Sequence, residues 1–200
     1  MYKNALNHFK KTDPILFEAA SKIKVIELQV YKDPFVRLTR SIVGQQLSVK
    51  AAATIYGRFE ALLKNQITPQ KILKTSDEKL RGVGLSFQKI KYLKDLSEKV
   101  KSKEINLNNL ESLPDEEISI QLIKVKGIGL WTIEMFLMFH LGRPDIFSNG
   151  DLGLRNAIQK LYKLKNKPTE KQLLKITKKW SPFRTYASMI LWRSLDNQPK

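Results

Sequence analysis

Leu122-Ile123-Lys124-Val125-Lys126-Gly127-Ile128-Gly129-Leu130-Trp131-Thr132 is the stretch from which the architecture follows. Two glycines flank one aliphatic residue, with helical patterns on both sides. Asp115 to Lys124 reads as a helix, Gly127-Ile128-Gly129 breaks it, and Leu130 to Leu141 resumes as a helix that is apolar almost all round, the pattern of a buried element. A Gly-x-Gly turn lets the backbone reverse tightly and leaves bare N–H groups at the start of the second helix. Those donors, with the positive end of the helix dipole, suit a phosphate that side chains would hold at a distance. In this reading Gly127 and Gly129 seat the anion, Ile128 plugs the space between the helices, Lys126 adds charge and Thr132 a hydroxyl. A lone Gly-x-Gly is usually an ordinary helix breaker. Its place between two helices of a strongly basic chain turns the balance toward a grip on a polyanion backbone, independent of base sequence.

The charge is large for the size: 36 Lys and Arg stand against 19 acids, a formal +17 in 200 residues, which points to a polyanion partner. A general compositional bias is the alternative source of that excess. There are no cysteines, which excludes disulfides, cysteine-ligated zinc, iron–sulfur clusters and thiol nucleophiles together. His8 and His140 are the only histidines, so no metal site is expected. No apolar run approaches the roughly 20 residues that span a bilayer. The N-terminal MYKNALNHFKK has basic residues with no apolar segment behind them, so no secretory signal is expected.

Outward from the hairpin the chain keeps a helical rhythm, with no alternating strand pattern. Asp13-Pro14 and Asp33-Pro34 each have the cap-then-proline form that opens a helix. Phe35, Leu38, Ile42 and Val43 make one helical stripe, Gly44 interrupts it, and Ser48 caps a second helix with Val49, Ala52, Ile55, Phe59 and Leu62 on its stripe. The junction Gly44-Gln45-Gln46-Leu47 is therefore short and specific. Thr68-Pro69 and Ser76-Asp77-Glu78 open two short helices, Gly82-Val83-Gly84 stops the latter, and Ser86 caps a Lys-rich helix to about Val100. Thr169 and Gln172 fit a capping box. Ser181-Pro182 opens a last helix with Phe183, Ala187, Ile190 and Leu191 on one face. Between Lys160 and Lys179 eight lysines face a single acid, Glu170, giving a basic outer surface.

Beyond the apolar helix comes Gly142-Arg143-Pro144-Asp145-Ile146-Phe147-Ser148-Asn149-Gly150-Asp151-Leu152-Gly153-Leu154-Arg155. Asp151 stands at the start of a predicted helix, where the dipole favours an ionised carboxylate. Taken alone it reads as a helix cap.

Val-Lys-Gly-Ile-Gly-Leu-Trp-Thr, an apolar helix, then Gly-Arg-Pro-Asp-Ile-Phe and Gly-Asp-Leu-Gly-Leu-Arg together resemble the helix-hairpin-helix, Gly/Pro-rich, aspartate superfamily of DNA glycosylases. Within it the likeness is to the DNA-3-methyladenine glycosylase II branch, in its short form without an extra N-terminal β-containing domain. Arg40–Ser48, Gly84-Leu85-Ser86 with Lys89, and Trp180–Arg184 leading to Trp192 match the same branch, so the resemblance runs from about Asp13 to Trp192. It implies a single all-α domain over residues 1–200, with two helical lobes, a hairpin at about 115–141 and the active-site cleft between the lobes. It also implies that a damaged nucleotide is flipped out of duplex DNA, because the glycosidic bond is inaccessible inside the stack.

By the same resemblance Asp151 is the catalytic residue, stabilising an oxocarbenium-like sugar or activating water. Trp131, Trp192 and Met135 become pocket candidates that would hold a cationic alkylated purine by cation–π contact, against a competing role for each in core packing. Gln46 falls where relatives insert a side chain into the gap left by the flipped base. Gln45 shares that junction, and either residue fits as wedge or as cap. Bifunctional relatives carry a lysine just after the hairpin for a Schiff base; Trp131 stands there, which implies hydrolysis leaving an abasic site. The implied partner is double-stranded DNA containing alkylated bases, met by a monomer inside the cell, in cytoplasm, nucleoid or nucleus, with no membrane partner. No cofactor is implied, although relatives can hold a monovalent cation on hairpin carbonyls. Two alternatives stay open: a non-catalytic DNA-binding hairpin module, and a glycosylase for oxidised or deaminated bases.

Overall fold

The computed structural model describes residues 1–23, 27 and 33–196, and among these the chain is helical with no β-strand. In chain order the helices are α1 Tyr2–Thr12, α2 Pro14–Ser21, α3 Pro34–Gly44, α4 Val49–Leu62, α5 Pro69–Lys74 and α6 Asp77–Gly82. They continue as α7 Phe87–Lys101, α8 Asp115–Leu122, α9 Leu130–Phe139, α10 Leu152–Leu161, α11 Glu170–Thr177 and α12 Arg184–Asp196. Most begin where local chemistry demands. Asp13, Asp33, Ser48, Thr68, Ser76 and Ser86 each accept a backbone N–H three residues ahead, satisfying a donor that helix geometry leaves without a partner. Thr169 and Gln172 complete a reciprocal capping box on α11.

The chain divides into two compact units. One is made by the described residues before 24 with those from Leu137 onward, the other by those from 33 to Phe136. In the first, α1, α2, α10 and α12 enclose Phe9, Leu16, Leu154, Ile158, Leu173, Trp180, Ile190 and Leu191, all fully or almost fully buried. Asp13 lies inside this core and does more than cap α2: its Oδ2 accepts from the Tyr162 hydroxyl (2.6 Å) and from Trp180 Nε1 (2.9 Å). Burial and the adjoining Asp13 carboxylate push the Tyr162 phenol far above its ordinary range, so it remains a donor.

In the second unit α7 packs on α3, α5 and α6, and α3 packs on α4. The α3 stripe is buried as its pattern predicts, but the α4 stripe is rotated. Val49 is 89% exposed, while Tyr56, Phe59 and Leu63 face inward. Full burial on α4 thus begins at Tyr56, about two turns after Val49, and the exposed first turn continues the exposed Gln46-Leu47-Ser48 junction. The expectation of a helix buried throughout from Leu130 is corrected in the same way. Leu130 and Trp131 are 62% and 52% exposed, and burial begins at Thr132.

The last helix also starts later than Ser181-Pro182, at Arg184. Asp145 explains this: it accepts from Arg184 N (3.1 Å), from the Arg184 guanidinium (2.8 and 3.0 Å) and from the Ser181 hydroxyl (2.7 Å). A distant carboxylate therefore supplies the cap that a local serine was expected to provide.

Candidate active site and nucleic-acid interface

The hairpin is held from beneath. Gly127 has φ +80°, and a Cβ there would lie 2.1 Å from the Tyr92 ring, so only glycine fits. Its carbonyl accepts from Gln45 Nε2 at 2.7 Å, tying the end of α3 to the turn 82 residues away. The preceding residue, Lys126, donates its backbone N–H to Asp95 Oδ2 (2.8 Å) and brings its ammonium to 3.4 Å from Oδ1. Asp95 is 6% exposed, and Lys99 approaches it as well. Burial alone would raise the Asp95 pKa, but the bonds from Lys126 and the nearby Lys99 charge outweigh it and keep the carboxyl below its ordinary range. Lys89 on α7 donates to the Val43 carbonyl (2.8 Å) beside the Gln45 junction, and burial lowers its pKa.

Above this support the turn is open. Ile128 is buried as a plug, whereas a Cβ on Gly129 would meet nothing within 4 Å. Gly129 leads directly into α9, whose first-turn amides lack intrahelical acceptors by helix geometry. The Lys126 side chain remains 59% exposed. Thr132 is 7% exposed, at the start of the buried part of α9. Gln45 points inward to Gly127, while Gln46 is exposed with φ 56°, a left-handed conformation that lifts it out of the helix path. The structure thus gives these neighbours different surroundings.

In the other unit a second turn precedes α10. Asp151 N donates to Ser148 O (3.2 Å), and Asp151 Oδ1 accepts from Leu154 N at 2.8 Å and from Trp192 Nε1 at 3.1 Å. A Cβ on Gly153 would fall 3.1 Å from Asp151 Oδ1 and 3.3 Å from the Trp192 indole, so glycine makes room for this pairing. Phe139 flanks the indole with ring centroids 6.0 Å apart. The loop leading here is braced on α12: Thr185 Oγ1 donates to Arg143 O (2.6 Å), Ile146 N donates to Thr185 Oγ1 (3.0 Å), and Arg184 grips Asp145. Burial would raise the Asp145 pKa, but the bonds from Arg184 and Ser181 prevail and hold it low.

Asp151 and Trp192 are therefore brought together in one unit, and Gln45, Lys126 and Gly127 in the other. Trp131 and Met135 lie on the early part of α9, the first half-exposed and the second half-buried. Tyr92, Asp95, Gly153 and the Asp145–Arg184 pair were not singled out as site residues from the sequence. Asp95 had the clearest signal, an acid set among the inward residues Leu93, Leu96 and Ser97. Among the described residues no group of three or more His, Asp or Glu side chains could hold a metal ion, and no helix is long and apolar enough to cross a membrane.

A glycine hairpin thus opens onto the N-terminus of α9, and a carboxylate caps α10 within hydrogen-bond reach of an indole. The chain belongs to the HhH-GPD superfamily of base excision DNA repair proteins, whose pattern matches residues 39–183. It is 38% identical over 166 residues to DNA-3-methyladenine glycosylase 1 of Schizosaccharomyces pombe, covering 82% of this chain and 73% of that protein. Its structure resembles the DNA-3-methyladenine glycosidase of Bacillus halodurans with a TM-score of 0.85 and 37% identity, covering 96% of this chain and 89% of the other. It also resembles the S. pombe 3-methyladenine DNA glycosylase in complex with abasic DNA, with a TM-score of 0.81 and 34% identity over 95% of each chain.

Proposed function

We propose that this protein is a monofunctional DNA-3-methyladenine glycosylase. It hydrolyses the N-glycosidic bond of alkylated purines, 3-methyladenine and 7-methylguanine, in duplex DNA and leaves an abasic site for base excision repair. The observation that carries this reading is the Asp151 carboxylate, held on Oδ1 by Leu154 N and Trp192 Nε1 at the head of α10. An oriented carboxylate can stabilise the positive charge that develops on the sugar, or take a proton from the attacking water. Alkylation at N3 or N7 already makes the purine a good cationic leaving group, so the site needs little general acid.

Lys126, Gly127, Gly129 and Thr132 form the backbone grip, chiefly through first-turn amides, and Gln46 is the wedge for the gap left by the flipped nucleotide. Gln45, bonded to Gly127 O, is the strut that sets Gln46 in place. Trp131, Trp192 and Met135 are pocket residues for the cationic base. We read residues 1–200 as one domain of two lobes, acting as a monomer inside the cell. A monovalent cation at the hairpin is compatible with the turn: Val125 O and Gly127 O each accept one hydrogen bond and keep a second lone pair. The chemistry proposed does not depend on it.

The test is the base released from a panel of lesion-bearing duplexes, with borohydride added in parallel. Release of 3-methyladenine or 7-methylguanine without a covalent DNA adduct is expected. A trapped adduct would overturn hydrolysis by water, and release of no base from any duplex would leave a DNA-binding module.

A further inference from the structure

The strongest charge outside the site lies between Lys160 and Lys179. These residues hold eight lysines against one glutamate, so +7 of the chain's formal +17 sits in twenty of its 200 residues. All eight lysines are exposed. Among the described residues none of their ammonium groups comes within ion-pair distance of a carboxylate.

The arrangement is ordered by α11. Leu173 and Thr177 turn inward, which sets Lys171, Leu174, Lys175 and Lys178 on the outer face at spacings of three and four. Residues so spaced are neighbours about 5–6 Å apart, and like charges at that spacing weaken a helix. A face suited only to solubility would mix both signs of charge, whereas the outer face of α11 carries lysines and one leucine. An uncompensated row of ammonium groups is instead suited to a row of phosphates.

The row is anchored beside the Asp151 turn. Arg155 on α10 donates to Asn149 O (3.3 Å) and to Pro168 O (2.8 Å), so one guanidinium joins the turn before Asp151 to the start of α11. At the far end Lys179 O is bonded to His8 Nε2 at 2.8 Å. The stripe therefore belongs to the same folded unit as Asp151.

We propose that the Lys171–Lys175–Lys178 stripe is a second phosphate-contact surface, separate from the hairpin, that grips undamaged duplex flanking the lesion. Its place beside Asp151 makes duplex DNA the expected polyanion, and in that respect it rests on the function proposed above. Leu174 is the one exposed large apolar residue on the stripe, too little to insert into a lipid surface.

The test is the triple variant K171Q/K175Q/K178Q, in which glutamine keeps helix propensity and removes charge. Binding to undamaged duplexes of about 12 and about 40 base pairs is measured by anisotropy from about 50 to about 300 mM salt. The expected result is a log-affinity against log-salt slope shallower by about 2–3, and affinity for the longer duplex at least about tenfold weaker near 0.1 M salt. Single-turnover base release at saturating protein is expected to stay at the unmodified rate. A slope and affinity unchanged in a variant that melts normally overturns the proposal, as does loss of base release at saturation, which would put the stripe inside the site. The two readings separate cleanly. An unmodified protein that releases base but shows no stripe dependence sinks only the stripe; one with stripe-dependent binding and no base release sinks only the enzyme.

Discussion

Two turns in this molecule use one local device for opposite ends. Both Lys126-Gly127-Ile128-Gly129 and Ser148-Asn149-Gly150-Asp151 deliver the chain to a helix N-terminus, where amides lack intrahelical acceptors. Before α9 the last residue is glycine, which has no side chain to cap the helix. Before α10 the last residue is Asp151, so the anion is built into the cap. In the function proposed above, the difference of one side chain separates a seat for a phosphate from a supply of negative charge for a cationic sugar. It also sets what lies behind each turn: Asp95 and Tyr92 brace the backbone of the first, whereas Trp192 and Gly153 orient a side chain in the second.

The largest effect that would sharpen this contrast is Asp151→Asn. Asparagine caps a helix about as well as aspartate, so folding and duplex binding are expected to persist while base release falls by about 10²–10³-fold. An equal loss of binding and release would mean that the two turns do not divide the work.

Gly127→Ala should break the hairpin from the protein side. The added Cβ meets the Tyr92 ring at 2.1 Å on a backbone of positive φ, and about 3 kcal/mol of stability is expected to be lost. Urea unfolding measures this, and Tyr92→Ala in the same chain should recover part of any steric share.

Asp145→Asn tests the brace behind the second turn and carries a sign in pH. The folded Asp145 pKa is depressed, so its contribution is fully present above the unfolded value near 4 and lost as pH falls through the lower folded value. The variant is expected to be about 2 kcal/mol less stable at pH 7 and to approach the unmodified protein in strong acid. Urea midpoints at the two pH values decide it; a constant difference would remove the ion pair from the account.

Trp192→Phe keeps a ring against Phe139 but deletes the donor to Asp151. Base release is expected to slow about tenfold, equivalent to about 1.4 kcal/mol of transition-state stabilisation, with little change in thermal midpoint. An unchanged rate would reduce the indole to packing.

The smallest expected effect on folding is that of Gly129→Ala, since a Cβ there meets no protein atom. Stability should stay within about 0.5 kcal/mol, yet duplex affinity should fall because the methyl occupies the anion's place. Beside Gly127→Ala it separates a glycine required by the protein from one required by the ligand.

Much of the architecture was legible because its causes are local. Asp13, Asp33, Ser48, Thr68, Ser76, Ser86 and Thr169 cap the helices their positions announced, since a cap and its donor lie three residues apart. The α3 stripe was readable for the same reason. The α4 stripe was legible only in part: Phe59 is buried as its position announced, but periodicity could not show that Tyr56 and Leu63 turn inward while Val49 stays exposed.

The amino-acid order alone determined the hairpin, the helix that Asp151 caps, the excess of positive charge and its concentration after Lys160. Only the tertiary structure decided that Gln45 serves Gly127, that Asp95 holds Lys126, that Asp145 rather than a local residue caps α12, and that Trp192 donates to Asp151. These partners stand 82, 31, 39 and 41 residues apart. A hydrogen bond across such a distance has no periodicity to betray it, because its geometry exists only once the helices between have packed.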